Sequence, residues 1–305
     1  MNPSSSGTNG ALEWGRHYVM VEPTHFRVEY AINPFMDPAV QPDRARALDQ
    51  WHGLVATLRE LGARVDVIEQ RPDAPDMAYA MNLGLALVGP TGPHLVLSHM
   101  RYPQRRMETP TAAAWFAERG WTTSYVGRDG VGAHLEAGDA FAFGGDLVVG
   151  YGPRTEKLAL KHLATDLGVR VRGLRIAHAG MYHLDLAFCP LDHRRALVCP
   201  DALDAPSAAA LLDLVPEPLV LTEEEALTTF CANSVVVGST VVMPGCPDRV
   251  RARLEEWGFG VIVVDVSEFH LGGGSVRCLS NPVDVAIGRD LGVRPHGEVL
   301  LPIDG

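Results

Sequence analysis

Four short stretches of the chain carry side chains that catalysis uses: Asp76 with Asn82, Glu136 with Asp139, His183 with Asp185, and Cys278. A thiolate is a strong nucleophile, and an imidazole moves protons readily near neutral pH. Cys278 follows LGGGSVR, where three consecutive glycines allow a tight bend and close backbone approach. With Arg277 beside it, that bend predicts an exposed thiol of lowered pKa. If YHLDL is a strand, His183 and Asp185 project together while Leu184 and Leu186 face the other way. A carboxylate there favours the imidazolium, which can give a proton to a departing amine and then take one from water. The plainer reading is a buried polar pair satisfying itself, and a cysteine with a distant histidine is only a candidate pair.

These residues sit at the starts of repeated elements. VMVEP (19–23) reads as a strand, 43–61 has apolar residues at helical spacing, and RVDVIE (64–69) reads as a strand after Gly62. From Asp76, Gly138, His183 and Cys231 the chain then reads as hairpin, helix, strand, with a truncated copy from Cys278. The last four starts are 45, 48 and 47 residues apart, with helices expected over 155–167, 206–214 and 247–257. Such units can close radially and gather their polar first residues near one axis. An ordinary sheet with helices on both faces fits the α/β alternation as well.

Composition removes other classes. Lys and Arg number 26 against 37 Asp and Glu, a net charge of -11 that repels a phosphate backbone, so nucleic acid is not an expected partner. Neither long uncharged stretch (77–100, 226–247) leaves the roughly 18 apolar residues that span a bilayer. Five cysteines without a CxxC pair suggest neither a disulfide framework nor a zinc finger. GDAFAFGGDLVV lacks the elements of a phosphate loop, HLGGGS precedes no expected helix, and the histidines show no metal-ligand spacing. No metal or cofactor is expected. Residues 1–15, whose first twelve are rich in Ser, Gly and Asn, read as a disordered leader, and the cytoplasm is the expected compartment.

The runs INPFM, PDMAYAMNLGL, YPQRRME, LEAGDAF, GYGPRT, YHLDLAFCPL and SEFHLGGGSVRCLSNP, in this order, resemble the guanidino-group-modifying pentein enzymes. The resemblance covers 18–284 and is nearest to the bacterial arginine dihydrolases, with arginine deiminases and dimethylarginine dimethylaminohydrolases as relatives. It implies one domain over 16–305, a fivefold pseudosymmetric α/β propeller. By motif, Cys278 would attack the guanidinium carbon to form a thiouronium, and His183 would protonate the leaving amine and then activate water. Glu136 and Asp185 would bind the guanidinium nitrogens, Arg105 and Arg154 the α-carboxylate, and Asp76 the amine end. Asn82 stands where deiminases and dimethylarginine hydrolases carry Asp, which would suit the neutral ureido group of citrulline and a second round to ornithine. Asn33 would line the same pocket. Without the resemblance, Asp139 with Arg154 reads as a structural ion pair, Arg105 as a surface charge and Asp76 as a turn residue.

The expected partner is thus a small guanidino substrate, with a homo-oligomer left open. Competing readings are a deiminase or dimethylarginine hydrolase that stops at citrulline, an amidinotransferase, and a non-catalytic pentein binding protein. The last should lack the Cys and His that are present here.

Overall fold

Four hairpins share one attachment: a helix follows the second strand, and a third strand returns parallel to it. The first unit pairs Gly84–Gly89 with Gly92–Leu97, continues through helix Glu108–Ala117 and adds Thr122–Tyr125. In the second, Ala140–Phe143 and Asp146–Tyr151 precede Lys157–Leu167 and Arg170–Arg175. The third comprises Phe188–Pro190, Arg195–Val198, Ala205–Leu214 and Glu217–Val220. In the fourth these become Val235–Val237, Thr240–Met243, Asp248–Glu256 and Gly260–Val263. The structure, a computed structural model, describes residues 10–128 and 131–302.

The truncated fifth copy is completed by the other end of the chain. Asn281–Pro282 pairs antiparallel with His17–Glu22, Val19 opposite Asn281 and Tyr18 opposite Pro282. Helix Arg44–Glu60 follows, and Arg64–Glu69 returns parallel to His17–Glu22. The fifth unit therefore joins the two ends of the series, as radial closure requires.

Local sequence explains each piece. Gly144 and Gly145 both adopt positive φ, as the two-residue turn between the second unit's strands demands. Helix Arg44–Glu60 starts where the Asp43 side chain accepts from the Arg46 N–H at 3.0 Å. Its buried Ala47, Trp51, Leu54, Val55 and Leu58 recur at three- and four-residue spacing and pack on Tyr18, Met20 and Val65. Leu54→Ala, at a fully buried site, is expected to cost about 2–5 kcal/mol by urea denaturation. Among the described residues no helix is long and apolar enough to cross a membrane.

Two expectations need correction. Residues 1–9 of the anticipated leader lie outside the described residues, but Leu12 and Trp14 are buried in the core, so packing begins before Gly15. The residues that open the hairpins are not strands but short 3-10 turns: Pro75–Ala78 and Ala80–Leu83, Ala137–Asp139, and Leu184–Leu186. Strand alternation separates an enclosed from an exposed face, whereas His183, Leu184, Asp185 and Leu186 are all buried. Cys278 likewise sits in a helical turn, Val276–Leu279, where no helix was expected.

Candidate active site

The turns from neighbouring units abut one another. Ala80–Leu83 packs on Ala137–Asp139 and on Val276–Leu279, and Ala137–Asp139 packs on Leu184–Leu186. A ring of side-chain to backbone hydrogen bonds links them. Asn82 Oδ1 accepts from Gly138 N (2.9 Å), Asp139 Oδ1 from Leu184 N (2.9 Å), and Asn233 Oδ1 from Cys278 N (3.1 Å). Asn281 Nδ2 closes the ring by donating to the carbonyls of Ala80 (3.2 Å) and Gly84 (2.9 Å). These bonds satisfy backbone groups that the converging turns remove from water. Gly138 lies at the tightest approach: a Cβ there would sit 3.0 Å from Asp185 Oδ2, 3.1 Å from Asn82 Oδ1 and 3.3 Å from His183 Nδ1.

The Cys278 Sγ lies 3.3 Å from Asp185 Oδ2 and 3.1 Å from Asn233 Nδ2. It is buried, and burial followed by the Asp185 charge raises the thiol pKa well above its ordinary value. This reverses the expected lowering. Arg277 points away from the sulfur, its guanidinium 4.7 Å from the Phe141 ring centroid and 5.8 Å from that of Trp14.

His183 pairs with Glu136, not Asp185: Nε2 lies 2.8 Å from Glu136 Oε2. In the 3-10 turn the rule that residues two apart share a face does not apply. Glu136 also accepts from the Arg154 guanidinium (2.9 Å) and the Arg101 N–H (3.0 Å). Burial alone would raise its pKa, but Arg154 and then His183 outweigh burial and hold the carboxyl well below the usual range. Glu136 is therefore a fixed anion behind the imidazole.

Arg154 pairs with Glu136 rather than Asp139, donates to the Ile32 carbonyl (2.9 Å), and lies over the rings of Tyr182 and Tyr102. Arg105 is buried, not a surface charge. It grips Glu108 through two bonds of 2.8 and 2.9 Å and donates to the Asp76 carbonyl (3.2 Å). Burial pushes Glu108 up to about 7 against the pull of Arg105. Asp76 is also raised by burial, opposed by Arg105, and its Oδ1 makes no hydrogen bond.

Asn33, Asp76, Asn82, Arg105, Arg154, His183 and Cys278 line one narrow cavity. Glu136 and Asp185 are not among its lining residues; they stand behind His183 and Cys278. Asn33 donates to the Gly272 carbonyl (3.0 Å), while the phenols of Tyr79 and Tyr182 donate to the carbonyls of Phe269 and Gly273 (both 2.7 Å). Three side chains thus hold the glycine-rich bend. Sequence reasoning missed Tyr79, Tyr182, Glu108 and Asn233. Glu108 lies three residues after Arg105, a helical pairing distance, and Asn233 occupies in CANSVVV the place that Asp185 holds in HLDLAF.

Residues 22–285 match the family described as N,N dimethylarginine dimethylhydrolase, eukaryotic. The chain belongs to this family. Its relatives include the N(G),N(G)-dimethylarginine dimethylaminohydrolase of Mycobacterium tuberculosis, 34% identical, with 86% of this chain and 84% of that protein covered. The bifunctional arginine dihydrolase/ornithine cyclodeaminase AgrE of Nostoc sp. is also 34% identical over 86% of the chain, which spans only 37% of that relative's length. Among solved structures, the N-terminal domain of a cyanobacterial ArgZ variant, covalently bonded to a reaction intermediate, superimposes with a TM-score of 0.83 at 33% identity. That match covers 89% of this chain and 98% of that domain. Both the resemblance to guanidino-modifying penteins and the propeller fold are borne out.

Proposed function

We propose that the chain is a cysteine-dependent hydrolase of the guanidino group of arginine or a close derivative. The observation that carries this reading is the convergence on one cavity of the Cys278 thiol and the Glu136-paired His183 imidazole. The buried carboxylates around them suit a planar cation. Asp76, on the cavity wall, keeps one oxygen without a hydrogen bond, which an N–H of such a cation fits, and Asp185 adds a second carboxylate just behind Cys278. A guanidinium beside Cys278 also supplies the positive charge that favours the thiolate in a site where burial opposes it.

The thiolate adds to the guanidinium carbon, His183 gives its proton to the departing amine, and a thiouronium remains on Cys278. His183 then takes a proton from water, which attacks the same carbon, and the carbon–sulfur bond breaks to leave citrulline and the restored thiol. Arg105 and Arg154 lie on the cavity wall with Asn33, where the α-carboxylate end would lie. The names of the relatives support both arginine and dimethylarginine as substrates.

The outcome beyond citrulline turns on Asn82. Its Oδ1 is engaged by Gly138 N, so Asp at this position can keep that bond while losing the NH2 group and adding a charge. A carboxylate facing a neutral ureido group costs about 1–3 kcal/mol, so Asn82→Asp is expected to slow citrulline hydrolysis about 10- to 100-fold. Product should shift from ornithine to citrulline. Incubation with arginine, methylated arginines, citrulline and agmatine, with products identified by mass, tests the reading. Inert guanidines and ureas alike would reject it.

A further inference from the structure

We propose that Asn233 is a catalytic residue whose side-chain N–H stabilises the Cys278 thiolate. This rests on the functional reading above only in naming Cys278 the nucleophile.

The orientation of the amide is set by its neighbours. Cys278 N–H must meet an acceptor, which is Oδ1 at 3.1 Å, and the Asp185 carbonyl must meet a donor, which is Nδ2 at 3.1 Å. Nδ2 then faces the sulfur at 3.1 Å with its other hydrogen. When Cys278 loses its proton to water, the electron pair stays on Sγ, and Asn233 is the one side-chain donor to Sγ among the described residues. Asp185 Oδ2, the sulfur's other side-chain hydrogen-bond partner among the described residues, is an acceptor that suits the thiol and opposes the thiolate. Asn233 therefore favours the reactive form where burial and Asp185 disfavour it.

The turn that bears Asn233 follows helix Glu223–Thr229, whose C-terminal cap, Phe230, is left-handed. Phe230 has φ 52°, the sole non-glycine residue at positive φ among those described, and Asn233 N–H bonds back to its carbonyl (2.8 Å). The Phe230 ring stacks on His270 (4.3 Å, 12°) and meets Phe35 at 5.0 Å. These contacts clamp the turn between INPFM and the glycine-rich bend and so fix the direction in which Asn233 presents its amide.

The test is the pH dependence of Cys278 alkylation by iodoacetamide, read by peptide mass with Cys278→Ser as the blank. Asn233→Ala removes all three side-chain bonds without adding charge and sizes the effect; Asn233→Asp keeps an acceptor for Cys278 N–H, loses the N–H donors to Sγ and to the Asp185 carbonyl and adds a negative charge, so its midpoint should rise at least as far. Other ionisable groups around the thiol remain in both variants: Asp185, His183, Tyr79, Tyr182 and Arg277. The alkylation midpoint is expected to rise by about one to two pH units, the size of one hydrogen bond to a charged group. In turnover, kcat should fall with KM for arginine little changed. An unchanged midpoint alongside a lowered Tm, or collapse of both variants, would overturn the proposal and leave Asn233 a member of the hydrogen-bond ring. Alkylation needs no guanidine turnover, so inert substrates would reject the functional reading while the midpoint still judged Asn233.

Discussion

Cys278→Ser is expected to lower turnover of arginine by about 10⁴- to 10⁶-fold, the scale on which hydrolases lose activity with their covalent nucleophile. A serine hydroxyl is a far weaker nucleophile than a thiolate at neutral pH, and the buried acceptor Asp185 Oδ2 would hold its proton in place. Folding should survive, because a hydroxyl can make both contacts of the thiol, donating to Asp185 and accepting from Asn233. The measurement pairs product formation by mass with Tm. Activity within about tenfold of wild type would remove Cys278 from the mechanism. A lost fold would be read against Cys278→Ala, which should be equally inactive.

The repeating unit was legible in the sequence because its signals are local. Gly144 and Gly145 mark a turn, and 43–61 alternates at helical spacing, so helix and hairpin positions fell within a few residues. What joins units was not legible. The pairing of Asn281 with Val19 closes the series between opposite ends of the chain, and the hydrogen bond from Gly138 N to Asn82 crosses between units. The same limit explains the two errors at the site. Nearness in sequence points from His183 to Asp185, yet its partner Glu136 comes from the preceding unit. Nearness in the chain likewise points from Arg277 to Cys278, yet its side chain turns to Phe141 and Trp14. Asn233 was within reach, since the repeat register that singled out His183 and Cys278 also marks the start of CANSVVV.

His183→Ala is expected to lower turnover by about 10²- to 10⁴-fold, the usual worth of a positioned acid–base group. The two halves of the reaction need not suffer equally. Departure of the amine requires one proton, which bulk water can deliver slowly, whereas water attack on the thiouronium requires a base at the right place. Without the imidazole, Glu136 stays ionised but is turned toward Arg154 and the Arg101 N–H and lines no part of the cavity, so it is poorly placed to substitute. The second half should therefore slow more, and intact-protein mass after mixing with arginine should show Cys278 carrying the substrate less one ammonia. Removal of the adduct by Cys278→Ser would locate it. Wild-type turnover with no adduct would reject His183 as the proton carrier. An adduct that forms and clears at wild-type rate would assign the water-activating role to another group, with Asp185, 3.3 Å from the sulfur, the nearest carboxylate to examine.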